Sequence, residues 1–355
     1  MEPGMNLDFM LEALGDRSSI ALIGLLTGTL FGFFAQRSRF CLRSATLEFW
    51  RRSGTEKLAV WLFAFSTAVL ATQLFSLLGW FDASTSRQLS SRGSLSGALV
   101  GGLLFGIGMV LARGCSSRML VLAANGNLRA LLAGLIFAVT AQAALAGILA
   151  PARLWIASWW TVAPETRNLL GLLGLGHGGG LLFGLLWAAA ALFFARRARL
   201  FAWGLWGGIG VGLMVALAWL LTYQVSLQAF EPIPVEALSF TGPSASTLML
   251  FLSPPGQPLD FDLGLVPGVA LGSFTAAWRG KELKLEGFKD GHSMRRYIFG
   301  AMAMGFGGML AGGCAVGAGV SGAAIFALTA WLTLIGMWLG AGLTDWLVDK
   351  QGRNP

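Results

Sequence analysis

The sequence predicts an all-α polytopic membrane protein, and three observations carry that reading. Hydrophobic residues make up 55% of the 355 residues and charged residues 12%, with a mean hydropathy of +0.69, a balance foreign to water-soluble domains. Apolar runs of about 18 to 24 residues recur along the chain, each long enough to cross a hydrocarbon core of about 30 Å. Glycine reaches 50 residues. In a bilayer apolar side chains gain nothing by leaving lipid for one another, so small residues serve to bring helix backbones close.

Nine spans follow in order, at about 19–36, 57–79, 94–112, 128–150, 176–195, 201–224, 262–279, 295–311 and 323–347. The stretch through Ser18 sets Glu2, Asp8, Glu12 and Asp16 against one Arg, the reverse of a signal peptide's basic start. Arg37, Arg39, Arg43, Arg51, Arg52 and Lys57 follow the first span, and Arg113, Arg118 and Arg129 the third. Arg196, Arg197 and Arg199 follow the fifth; Arg279, Lys281, Lys284, Lys289, Arg295 and Arg296 follow the seventh; Lys350 and Arg353 close the chain. The intervening loops are poorer in Lys and Arg, which predicts an external N-terminus and a cytoplasmic C-terminus. Orientation thus accounts for the formal charge of +8 without any nucleic-acid partner. Trp155, Trp159 and Trp160 predict an interfacial helix after the fourth span. The loop Val225–Phe261 holds Pro232, Pro234, Pro243, Pro254, Pro255 and Pro258, and is expected to form an external cap without regular structure. Asp345, near the inner end of the last span, is expected to snorkel to the surface.

An internal repeat is legible. Gly106-x-Gly108 precedes Gly114-Cys115 at the same spacing as Gly305-x-Gly307 precedes Gly313-Cys314. Gly24, Gly28 and Gly32 in the first span resemble Gly204, Gly208 and Gly212 in the sixth, although glycine at every fourth residue also packs helices generically. In the predicted topology the third span runs inward and the eighth outward. Two inverted halves result, about 19–150 and 201–347, joined by a linking span at about 176–195. Folds of that kind place their substrate near the midplane, where broken helices meet.

The chain has three cysteines, Cys41, Cys115 and Cys314, each where a Gly-rich apolar helix meets a short broken segment. Three cannot all pair, and none has C-x-x-C spacing, so free thiols are expected. Ser116–Asn127 and Ala315–Gly322 are too short to cross again and predict half-helices or loops buried in protein. Half-helix N-termini offer unpaired N–H groups to anions, and the thiol adds a soft, polarizable donor at the same point. A small sulfur-bearing anion fits such a place better than phosphate. Arg113 and Arg118 flank Cys115 as membrane anchors or as attractors of the anion. His177 and His292 stand alone and make no metal site. No phosphate loop, intramembrane carboxylate pair or nucleophile–His pairing supports catalysis, and no cofactor is implied.

At these residues the chain resembles the YeeE/YedE family of inner-membrane sulfur-compound transporters, whose characterised members take up thiosulfate. The resemblance spans Phe40-Cys41-Leu42, Gly114-Cys115 and Gly312-Gly313-Cys314-x-x-Gly317. It implies a path through two inverted halves, lined by Cys41, Cys115 and Cys314, shaped by Gly114, Gly312 and Gly313, and crossed by transient S–H contacts. It also implies a bacterial inner-membrane location and a cytosolic sulfur carrier of the TusA type. The middle motif, Arg113-Gly114-Cys115-Ser116-Ser117-Arg118, departs from the Gly-Gly-Cys of the thiosulfate members and leaves thiosulfate, another sulfur oxyanion, a sulfide-like species or a selenium analogue open. The enzyme alternative is a membrane sulfurtransferase carrying a cysteine persulfide; a third class is a structural or redox-sensing subunit.

Overall fold

Long apolar runs become helices, and glycine decides which of them touch. The structure, a computed structural model, describes residues 8–254, 256–287 and 291–350. Of the residues named above, Glu2, Pro255, Lys289 and Arg353, and the side chains of Asp8, His292 and Lys350, lie outside the described residues. The first half holds α1 (Asp8–Leu14), α2 (Asp16–Ser38), α3 (Leu42–Arg51), α4 (Glu56–Leu77), α5 (Arg87–Ser90), α6 (Leu95–Leu111), α7 (Ser116–Ala124) and α8 (Leu128–Ala146). After it come α9 (Ala150–Ser158), α10 (Leu169–Leu173), α11 (Gly176–Ala198), α12 (Ala202–Gln228) and α13 (Thr241–Leu252). The last are α14 (Phe261–Arg279), α15 (Gly291–Ala311) and α16 (Leu328–Thr344), with π-helical turns at Gly317–Gly322 and Asp345–Lys350. Among the described residues the strands are a two-residue antiparallel pair, β1 (Gly93–Ser94) with β2 (Thr161–Val162), in register Gly93↔Val162.

Among the described residues eight helical runs, built on α2, α4, α6, α8, α11, α12, α14 and α16, are long and apolar enough to cross a membrane. The fold is therefore an all-α, multi-pass membrane protein. The expected ninth span, 295–311, lies within α15, whose Arg295 and Arg296 lower its apolar character. That helix packs between α6 and α8, where protein covers much of its surface.

The packing follows the glycines. α2 lies along α14, and a methyl on Gly264, Gly268 or Gly272 would collide with the backbone carbonyls of Ala21, Leu25 and Thr29. From the other side Gly24, Gly28 and Gly32 meet the carbonyls of Phe261, Leu265 and Val269. α12 packs on α4 by the same device, with Gly208 and Gly212 against the carbonyls of Val60 and Ala64. α6 lies between α15 and α16, and α15 between α6 and α8. Gly106 abuts the Met337 carbonyl of α16 as Gly305 abuts the Phe137 carbonyl of α8. Such close approach substitutes dispersion between backbones for the missing hydrophobic drive.

Cross-contacts gather the loops at two ends. At one, Arg39 meets Glu282, Arg51 meets Asp345, and the Thr55 hydroxyl donates to the Phe194 carbonyl at 3.4 Å. At the other, Arg17 meets Glu231 at 2.6 Å, and the Gln224 amide donates to the Trp80 carbonyl at 2.8 Å.

Three expectations are corrected. The Pro-rich loop is not devoid of regular structure: it contains α13, where Pro243 sits in the first turn, whose N–H groups have no partner within the helix anyway. Asp345 does not snorkel. It is 1% exposed and takes two 2.9 Å bonds from Arg51 Nε, because α3 folds back beside the end of α16. His177 is not alone, since its Nδ1 lies 3.1 Å from Gln73 Oε1. The Trp-rich segment does form the short helix α9, with Trp155, Trp159 and Trp160 exposed.

Candidate functional site

The three cysteines occupy one local design, used three times. Each preceding helix ends in a Schellman turn. Arg39, Arg113 and Gly312 adopt the left-handed conformation, at φ 55°, 57° and 76°. The next N–H, from Phe40, Gly114 or Gly313, reaches back to the carbonyl of Ala35, Met109 or Gly308 at 3.0, 3.1 and 3.0 Å. The cysteine comes next; Cys41 and Cys115 cap α3 and α7, whereas Cys314 lies two residues before Val316, the cap of the π-helical turn. The carbonyls of Cys41, Cys115 and Cys314 accept from Ala45, Met119 and Ala318 at 3.2, 2.9 and 2.8 Å. Each thiol stands by the backbone N–H of the third residue after it: Ser44, Arg118 or Gly317, the last at 3.4 Å. That place usually holds a Ser, Thr, Asp or Asn oxygen. A thiol there satisfies the cap only weakly and leaves the N-terminal partial charge at the sulfur.

The structure brings two of the thiols together. Cys41 and Cys115 lie close enough for their thiols to act on one another, and the Cys115 sulfur lies 3.4 Å from the Ser117 hydroxyl. Cys314 stands apart. Its sulfur accepts from the N–H of Phe240 at 3.3 Å as well as from Gly317, which leaves its own S–H free to donate. Phe31 of α2 links the two places, its ring 6.4 Å from Phe40 and 5.3 Å from Phe240. Cys41 is 6% exposed, and Cys115 and Cys314 are fully buried.

Of the flanking arginines, Arg118 reaches the site and Arg113 does not. Arg118 lies within electrostatic range of both paired thiols, and its Nη1 donates to Gln36 Oε1 at 3.4 Å. Arg113 is exposed and supplies the left-handed turn. The three glycines have separate roles. Gly312 is required by its positive φ. Gly313 is crowded, since an added Cβ would lie 3.0 Å from the Ala318 nitrogen. At Gly114 an added Cβ meets nothing closer than the Met119 side chain at 3.5 Å.

Five residues at this site were not anticipated: Gln36, Ser44, Ser117, Phe240 and Glu282. Gln36 carried a signal, being an amide near the end of an apolar span, and it is 6% exposed. The others depend on which loops meet.

The arrangement sets S–H groups and helix openings beside one guanidinium, at the paired thiols. The family described as Sulphur transport matches residues 37–343. The thiosulfate transporter TsuA of Escherichia coli (strain K12) is 27% identical over 357 residues, covering 93% of this chain and 95% of that protein. The thiosulfate transporter TsuA of Spirochaeta thermophila is 28% identical over 344 residues, covering 92% of this chain and 99% of its own length. With the match spanning residues 37–343, the chain belongs to the Sulphur transport family.

Proposed function

We propose that this protein is a permease that imports thiosulfate across the bacterial inner membrane by way of Cys314, Cys115 and Cys41. The observation that carries the reading is the turn repeated at all three cysteines, which puts each thiol at or just before the opening of a helical segment. Two N–H groups aimed at the Cys314 sulfur draw electron density from it and make its S–H a better donor to the terminal sulfur of the anion. The anion then passes Phe31 to the Cys41–Cys115 pair, where Arg118 balances part of its charge. Thiol contacts are weak, which suits a site that must also release.

The two halves are related by a pseudo-two-fold in this reading, with α7 and the turn Gly317–Gly322 as the half-helices at substrate depth. Reciprocal packing supports it: α2 on α14 mirrors α12 on α4, and α6 on α16 mirrors α15 on α8. The end that gathers Arg39, Arg51 and Lys57 faces the cytoplasm, with the N-terminus outside. A cytosolic sulfur carrier of the TusA type receives the product there.

The test is uptake of radiolabelled thiosulfate into membrane vesicles containing this protein alone, with sulfate and selenium analogues as competitors. Wild-type vesicles accumulate label, and the Cys115→Ser, Cys314→Ser double variant does not. Wild-type uptake in a folded double variant would sink the proposal. Persulfide formed on a cysteine without accumulation would replace it with the sulfurtransferase reading.

A further inference from the structure

A carboxylate stands one amide away from the guanidinium beside the thiol pair. The segment after α14 turns through Lys281, at φ 53°, and runs back over the α7–α8 turn. Lys284 donates its N–H to the Asn125 carbonyl at 3.3 Å, Glu286 to Gly126 at 3.1 Å, and Leu128 to Glu286 at 3.0 Å. The Ser273 hydroxyl ties α14 to the same turn, 3.0 Å from the Val121 carbonyl. This strap delivers Glu282 to the end of α2. One Glu282 oxygen accepts from Gln36 Nε2 at 2.7 Å, and the other lies 3.7 Å from Arg39 Nη2. The Gln36 carbonyl oxygen faces Arg118 Nη1, so a single amide joins Glu282 to the guanidinium beside Cys41 and Cys115.

We propose that Glu282 is a tethered counter-anion that competes with the transported anion for Gln36 and Arg118, and so drives its release from the thiol pair. The inference rests on the import reading above. A dianion leaving the paired thiols meets the Gln36 amide from which the carboxylate accepts, and the Arg118 guanidinium whose charge the carboxylate offsets through space. While it is held there, Glu282 turns toward Arg39, whose side chain is half exposed and gives it a second partner. The return of the carboxylate to Gln36 then repels the anion toward solvent. Glu282 is thereby a positioning residue for release, acting through Gln36 and Arg118 and forming no contact with either thiol.

The experiment titrates sodium thiosulfate calorimetrically into the purified full chain in lipid nanodiscs, for wild type, Glu282→Gln and Glu282→Ala. Both variants are expected to bind about fivefold tighter, the scale of one partly screened charge pair. In vesicles both should lower KM and also lower the maximal uptake rate, because release slows. A merely structural role for Glu282 would weaken binding or leave it unchanged. Glu282 is partly exposed, so neither variant strains the fold, and the Ala variant gives the same readout should the Gln variant express poorly. Wild-type binding with affinity equal or weaker in the variants overturns this inference and leaves import standing. Absence of wild-type binding and uptake overturns import itself.

Discussion

The helix breaks at Cys115 and Cys314 share their backbone and differ in everything attached to it. Both run through a left-handed residue, a glycine and a cysteine. At the first break the left-handed residue is Arg113 and the third residue after the cysteine is Arg118; at the second these are Gly312 and Gly317. The Cys115 thiol meets another thiol, a hydroxyl and a guanidinium. The Cys314 thiol meets two backbone N–H groups, and Gly317 is so close to Ser239 that an added Cβ would lie 2.5 Å from its hydroxyl. One break therefore presents fixed backbone dipoles, and the other presents side chains that can move and carry charge. A transporter built this way would capture at the rigid break and release at the adaptable one.

The largest effect should come from the sulfurs. Cys115→Ser and Cys314→Ser, which replace a polarizable donor with a harder hydroxyl, are each expected to cut thiosulfate uptake at least tenfold, about 1.4 kcal/mol. Cys41→Ser should cut it less, because Cys115 still faces the path. Equal losses at Cys41 and Cys314 would erase the proposed distinction between the two breaks.

Next comes the charge at the paired thiols. Arg118→Gly makes the first break resemble the second and is expected to lower uptake several-fold, while costing about 1 kcal/mol of stability as a glycine within α7. Arg118→Lys should restore part of the loss, since a point charge replaces the planar donor. Full activity in Arg118→Gly would reduce that arginine to a membrane anchor.

Backbone strain gives a smaller, reciprocal pair. Gly312→Ala places a Cβ at φ 76° and should cost about 1 kcal/mol of stability. Arg113→Gly relieves the same conformation at φ 57° and should stabilise by a similar amount. Thermal unfolding in detergent reads both, and a shift of the same sign in the two variants would show that the breaks are not equivalent in backbone.

The smallest effect lies upstream of Phe240, the residue that donates to Cys314. Glu236 belongs to the segment between α12 and α13, held by a 2.7 Å bond from the Thr222 hydroxyl to its carbonyl. Burial, and then the Asp260 charge, push its carboxyl up to about 7. The folded state thus holds this proton more tightly than the unfolded chain, whose carboxyl titrates near 4.5. Stability should be greatest below about pH 4.5 and fall as pH rises through about 7. Glu236→Gln should flatten that part of the unfolding profile; an unchanged slope would assign it to other groups.

The cysteines were legible because they are scarce and sit beside glycine, where a rare residue cannot be explained by helix propensity. Their common turn was not legible. A Schellman cap announces itself as glycine, and only Gly312 obeys; Arg39 and Arg113 take the same conformation with a side chain that reads as a membrane anchor. Gly147 ends α8 before the expected residue 150, and Pro243 starts α13 where Pro was expected to forbid it. Glu282 was out of reach, because its partner Gln36 lies 246 residues away along the chain.

Composition and apolar length by themselves determined that this chain is an all-α membrane protein, since a bilayer admits few ways to satisfy a backbone without water. The spacing of glycine before cysteine determined where two of the helices break. Tertiary structure alone decided which thiols meet, that Asp345 pairs with Arg51, and that a strap from the second half brings a carboxylate to the end of α2. The physical reason is distance along the chain. Periodicity and capping act over a few residues, whereas the site joins α2, α3, α7 and the strap after α14 through contacts that exist only once the glycine faces have packed.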